Sequence, residues 1–411
     1  LERWRIRQQE IAGEFGSSII GTQAAVEVLA DRLRTIALTE GVIDSAPGVF
    51  IRLLAESKPD IADALCDTVL ADVQSSLRPV FGEALCGLAR TDPARALDHA
   101  RRALSSAEAD PSRAVAWAYS VRAGASSAVT AEERDLLGGL VQSADDWTVI
   151  LSLRGVASFA ERDPAGTLTT LLKASIGRSP RIADEFFSLV LHTKALPFES
   201  LTPSAVTTIL EKLVPCPSIE NHWAGQFLGR ASERYPLLVM NFLLDRLDLD
   251  HRAHKSEFTP VPYEWGECSK LAFRKSNAFA ECLRMARTWL LNAPDGTTKV
   301  FWGPKLYAAV SSGYDDAVIA DLKEWAFSPD QEAVRLAGRL LNEAPRGFIF
   351  EQSGFVADLI EHAATLGKKC HDSVTSSLWG SAMSGVRHGT PGQPFPEDVE
   401  LRDRSLAMLA K

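Results

Sequence analysis

Apolar residues recur three and four positions apart along the chain. Ile61, Ala64, Leu65 and Thr68 form one such stripe, and Leu97, Ala100 and Leu104 another. Met240, Leu243, Leu244 and Leu247 form a third, and Val334, Ala337 and Leu341 a fourth. A repeat of 3.6 positions gathers these residues on one face of a helix. Sustained alternation, the mark of a half-buried strand, is missing. The candidate hairpin dipeptide Asp295-Gly296 follows helical sequence rather than a β-branched run. The pattern predicts an all-α fold.

The helix starts recur as well. Pro59, Pro93, Pro164 and Pro236 each follow a helix end and open a new helix, at intervals of 34, 71 and 72 residues. Proline suits the first helical position because its missing N–H has no partner there. The skipped starts are supplied by the capping box Thr130-Ala-Glu-Glu133 and by Thr202-Pro203. Partner helices fall between these starts, over 78–90, 111–122, 144–161, 180–192 and 219–233. The unit is then a helix pair of about 35 residues, the size of a solenoid repeat. Such pairs bury their apolar faces only by stacking. The expected architecture is a right-handed α-solenoid of antiparallel helix pairs, with Leu97, Leu168 and Leu244 buried between neighbouring repeats.

Pro260 and Pro262 interrupt the register, since neither fits a helix interior. The expected organisation is a repeat array over 1–249, an irregular proline- and aromatic-rich insertion with one helix over 250–303, and further helical repeats over 304–411. A second loop is expected from Asn292 to Gly303.

Composition narrows the function classes. The 411 residues carry a formal net charge of −9, which disfavours nucleic acid as a partner. Of the six cysteines, Cys66, Cys86 and Cys282 fall on apolar helix faces, and none forms a C-x-x-C pair. That pattern points to a reducing, cytoplasmic setting without a disulfide framework. No stretch reaches the roughly 18 apolar residues of a membrane helix. The chain opens inside a helical pattern without methionine, as a piece of a longer protein would.

Two segments carry resemblances. Ser328-Pro-Asp-Gln-Glu-Ala-Val-Arg-Leu-Ala-Gly-Arg-Leu-Leu341 resembles the second helix of a HEAT repeat, and Asp92-Pro-Ala-Arg-Ala-Leu97 is similar. Residues 230–411 resemble the C-terminal helical region of large bacterial STAND/NACHT-like ATPases. The resemblance rests on Tyr235-Pro236, Pro260-Val-Pro-Tyr263, Arg287-Thr-Trp289, Gly313-Tyr-Asp315 and Gly392-Gln-Pro-Phe-Pro-Glu-Asp398. It implies a solenoid that recognises a ligand, with the ATPase upstream. The expectation is therefore a non-catalytic binding scaffold, the protein-recognition part of a larger bacterial protein, needing no cofactor.

The chemistry that would contradict this was sought along the chain. No G-x-x-x-x-G-K-[ST], G-x-G-x-x-G, G-x-S-x-G or H-E-x-x-H occurs. His251, His254 and Glu257, with Glu264 and Cys268 nearby, have ligand-like spacing, but the adjoining prolines favour solvated loop histidines. Cys370-His371-Asp372 are adjacent on a helix and so point apart. Asp145-Asp146 and Asp315-Asp316 precede helices and read as caps. Arg90, Arg95, Arg101, Arg102, Arg113 and Arg122 read as a solvated face that could form a basic strip. The alternative to a scaffold is a solenoid-fold enzyme acting on nucleic acid, such as a helical-repeat DNA glycosylase, which needs an inward carboxylate and a basic groove. A purely structural spacer is the third reading. Phe258, Tyr263 and Trp265, among prolines in a polar loop, are the candidate partner-binding residues, because aromatics concentrate in binding hot spots.

Overall fold

A computed structural model describes residues 2–18, 21–40, 45–72, 74–105, 109–121, 130–253, 257–263, 271–345, 347–383 and 396–409. Among them are α-helices with short 3-10 and π turns, and no strand. The chain divides into two compact units, Leu1–Leu201 and Thr202–Lys411.

The first unit holds α1 (Glu2–Ser18), α2 (Thr22–Glu40), α3 (Ser45–Ser57), α4 (Pro59–Ala71), α5 (Phe81–Thr91) and α6 (Pro93–Leu104). It continues with α7 (Ala109–Val121), α8 (Ala131–Leu140), α9 (Asp146–Ala157), α10 (Pro164–Leu171) and α11 (Pro180–His192). Its helices lie in two layers. α1, α3, α5, α7, α9 and α11 pack each on the next, and so do α2, α4, α6, α8 and α10. Helix α5 is the densest member, with Phe81, Leu85 and Leu88 fully enclosed. A side chain at Gly87 would put a carbon 2.5 Å from the Arg52 carbonyl oxygen and the Ala55 methyl, so only glycine lets α5 approach α3 this closely.

The starts follow local chemistry. Asp92, Asp145, Asp163 and Ser179 accept from the main chain three residues on, and Pro59, Pro93, Pro164 and Pro180 sit in the first turn. The Thr130–Glu133 capping box closes in both directions at 3.1 Å.

Charge pairs join neighbouring helices within each layer at recurring separations. Arg90–Glu56, Arg95–Asp60, Arg102–Asp67, Arg113–Asp145, Arg154–Glu185 and Arg178–Asp146 each link residues 31 to 35 apart, at 2.6–2.9 Å. This corrects the basic strip. Arg90, Arg95, Arg102 and Arg113 each face a carboxylate, because a helix face opposes the equivalent face one helix pair away, while Arg101 stays exposed to solvent. Arg122 lies outside the described residues.

The second unit holds α12 (Pro203–Leu213), α13 (His222–Arg234), α14 (Pro236–Ala253), α15 (Phe279–Asn292), α16 (Gly303–Ser311) and α17 (Asp316–Ala326). It ends with α18 (Gln331–Leu341), α19 (Phe348–Glu351), α20 (Ser353–Leu366), α21 (Lys368–Met383) and α22 (Pro396–Leu409). α14 runs through position 249 to Ala253, and residues 298–302, expected as loop, form a π-helical turn leading directly into α16.

Of the three leucines expected between repeats, Leu97 is buried while Leu168 and Leu244 are only half-buried. The enclosed positions are Thr167, Thr170 and Leu171 on α10 and Val239, Leu243 and Leu247 on α14. One residue is 100° of helix rotation, enough to move a side chain from the seam to its edge.

Candidate functional site

The loop between α14 and α15 is shaped by one side chain. Arg246 on α14 has no solvent exposure. Its Nε donates to the Pro260 carbonyl (2.7 Å), its Nη1 to those of Val214 and Cys216 (2.7 Å each) and its Nη2 to that of Thr259 (2.6 Å). The guanidinium also lies 4.5 Å from the Phe258 ring centroid. Burial draws the Arg246 pKa down to about 10, so it keeps its charge at neutral pH. Pro260, Val261 and Pro262 are buried as a result.

The three candidate aromatics therefore part company. Phe258 is half-buried against Arg246 and acts as a packing clip. Tyr263 points outward, 55% exposed, its N–H donating to Glu220 Oε1 at 2.6 Å. Trp265 lies outside the described residues.

Tyr263 meets two rings that the sequence reading had missed. Its centroid is 5.9 Å from Phe301 and 4.8 Å from Trp302, and those two are 4.8 Å apart, all edge-to-face. Phe301 and Trp302 belong to the π turn. Its inward residues fix it: Thr298 donates to Asp250 Oδ2 at 2.6 Å, and buried Lys299 pairs with Asp295 and Glu332, each at 3.3 Å. Trp302 is buried, and at Gly303 any side chain would meet Leu290 at 2.4 Å. With those positions anchored, Val300 and Phe301 are left facing solvent, 42% and 38% exposed. The signal available in the sequence was Val300-Phe301-Trp302, a run of three large apolar side chains on one turn.

Beside the patch runs a cleft of about 340 Å³. It is lined by Ala308 and Ala309 of α16 and by Ser312 and Gly313 just past its end. Tyr263 and Pro262 form one wall, and Glu343 and Pro345 the other. Lys305 joins them, 3.5 Å from Glu343 and 5.2 Å from the Phe301 centroid. Arg274 holds the far end, donating to the Ser311 and Gly313 carbonyls and to Asp315. That contact draws the Asp315 carboxyl below its ordinary value. From behind, Tyr307 on α16 donates to Asp321 (2.9 Å), which also pairs with buried Arg287 at 3.0 Å. Burial raises the Asp321 carboxyl, and Arg287 and Tyr307 oppose that rise.

The other candidates resolve as structure. Contrary to the expectation that all three point apart, half-buried His371 and exposed Asp372 meet at 3.4 Å, while the buried Cys370 thiol turns away to the Gln331 carbonyl, so no triad forms. Asp145 and Asp315 cap α9 and α17. His251 lies in the last turn of α14, half-buried, and Glu257 is exposed; His254, Glu264 and Cys268 lie outside the described residues. Cys66, Cys86, Cys216, Cys282 and Cys370 are free and buried, and burial pushes the Cys86 thiol up to about 11. No helix among the described residues is long and apolar enough to cross a membrane. No protein-family model matches the chain, and no curated protein is similar to it.

Proposed function

We propose that the chain is a non-catalytic recognition scaffold that holds a protein partner at the patch around Tyr263 and Phe301. The observation that carries this reading is the exposure of Val300 and Phe301 on a turn anchored by buried polar contacts, with exposed Tyr263 of the neighbouring loop packed against Phe301. A soluble surface rarely presents clustered large apolar side chains without a use for them, and pre-organised aromatics lose little entropy on binding. The scaffold in this reading is a right-handed α-solenoid with a unit of about 35 residues. The 31-to-35-residue charge pairs support that period. The pairing of Arg90, Arg95, Arg102 and Arg113 with carboxylates favours a protein over a nucleic acid, since phosphate contacts need free cations. The resemblance of residues 230–411 supports a role as the sensor part of a larger bacterial protein in the cytoplasm.

Affinity capture compares the wild-type chain with Tyr263→Ala/Phe301→Ala. A specific protein retained by wild type and lost from the double variant is expected, with melting temperatures within about 2 °C of each other. Equal recovery on both overturns the reading.

A further inference from the structure

We propose that the patch selects a cationic peptide segment, seating an arginine or lysine over the Tyr263 and Phe301 rings with its charge directed at carboxylates around them. The proposal rests on the patch being the recognition surface.

Among the described residues about the turn, four carboxylates, Glu220, Asp295, Glu332 and Glu343, meet three cations, Lys299, Lys305 and Arg335, the last pairing with Glu332 at 3.2 Å. Glu220 is bonded to the Tyr263 main chain, Asp295 and Glu332 flank Lys299, and Glu343 faces Lys305. Lys299 is buried between its two partners, so its ammonium is turned away from an incoming ligand, while the Asp295 side chain is 91% exposed. An excess of negative charge therefore borders exposed π faces, the combination that attracts a cation. The same rings already take one: the Lys305 ammonium sits over Phe301 at 5.2 Å. The cleft alongside offers an uncharged stretch, Ala308, Ala309, Ser312 and Gly313, for the aliphatic stem of a long cationic side chain or for an apolar neighbour. At its far end, Arg274 is neutralised by Asp315. Among the described residues Lys299, Lys305, Arg274 and Arg335 are all paired with carboxylates, and the net charge of −9 repels an acidic segment during approach.

The test uses the full chain and two short labelled peptides, one alternating arginine with leucine and the other glutamate with leucine, read by fluorescence anisotropy. The arginine peptide is expected to bind tighter by roughly tenfold or more. Glu220→Gln/Asp295→Asn, which keeps the shapes and removes two charges, weakens it roughly three- to tenfold. Tyr263→Ala weakens it by about tenfold. Asp358→Asn/Glu361→Gln on α20 makes the same charge change elsewhere and leaves binding unchanged. Equal affinity for both peptides overturns the proposal, and so does an equal loss from the α20 variant, which marks general attraction to an acidic chain. If Tyr263→Ala/Phe301→Ala releases the cellular partner while the rim variant binds the arginine peptide normally, charge selection fails and the recognition surface stands. If the aromatic variant also keeps its partner, both fail.

Discussion

Arg246 directs its whole guanidinium at main-chain carbonyls, and a hydrogen-bond acceptor buried without a donor is expensive. Arg246→Met keeps the stem and strands the carbonyls of Val214, Cys216, Thr259 and Pro260. A loss on the order of 3–5 kcal/mol in urea unfolding is expected. A loss below about 1 kcal/mol would mean that water replaces the guanidinium without difficulty. Asp145 is a second residue with a measurable signature. Burial would raise its carboxyl, but hydrogen bonds from Arg113 and Thr148 overcome that and hold it at about 2, against an ordinary 3.8. A carboxyl depressed in the folded state stabilises above its unfolded value and loses that contribution as pH falls through the folded one. The stability gap between wild type and Asp145→Asn should therefore be constant above pH 4 and close between pH 4 and 2. A gap independent of pH across that window would show that the contacts do not persist in solution.

Among the described elements, the turn over 298–302 has π geometry. Its backbone spacing is uncommon, and such turns persist when side-chain contacts determine them. Lys299→Met removes the ion pairs to Asp295 and Glu332. Faster amide exchange confined to 297–303 is expected, at a cost of about 1–3 kcal/mol; unchanged exchange there would assign the turn's shape to Trp302 and Gly303 instead. On α10, Leu171→Ala should cost roughly 2–5 kcal/mol, and Leu168→Ala less than half of that. Helix starts were legible in the chain because proline and capping residues act locally, within one turn: Pro93, Thr130, Pro164 and Pro203 all open helices. The buried seam was less legible, since Leu168 and Leu171 have the same chemistry and only packing against α8 and α9 separates them. Tyr263 was readable from its loop. Phe301 was not, because its exposure follows from Thr298 and Lys299 reaching partners far away in sequence, Asp250 and Glu332.

For the whole chain, protection should follow the two units rather than run evenly from end to end. Amide exchange measured by mass spectrometry is expected to be slowest in α5 and α9, whose residues are mostly enclosed, and fastest in α22. Exchange as fast in α5 as in α22 would contradict the layered packing. The grip of Arg246 has another consequence at this scale. It fixes the loop through its backbone, while the outward side chain at Tyr263 rests on the Phe301 and Trp302 rings. Substitutions there leave the backbone anchor intact, so descendants keeping Arg246 are free to drift toward new partners, and a mutational library built at Tyr263, Val300 and Phe301 inherits a ready-made framework.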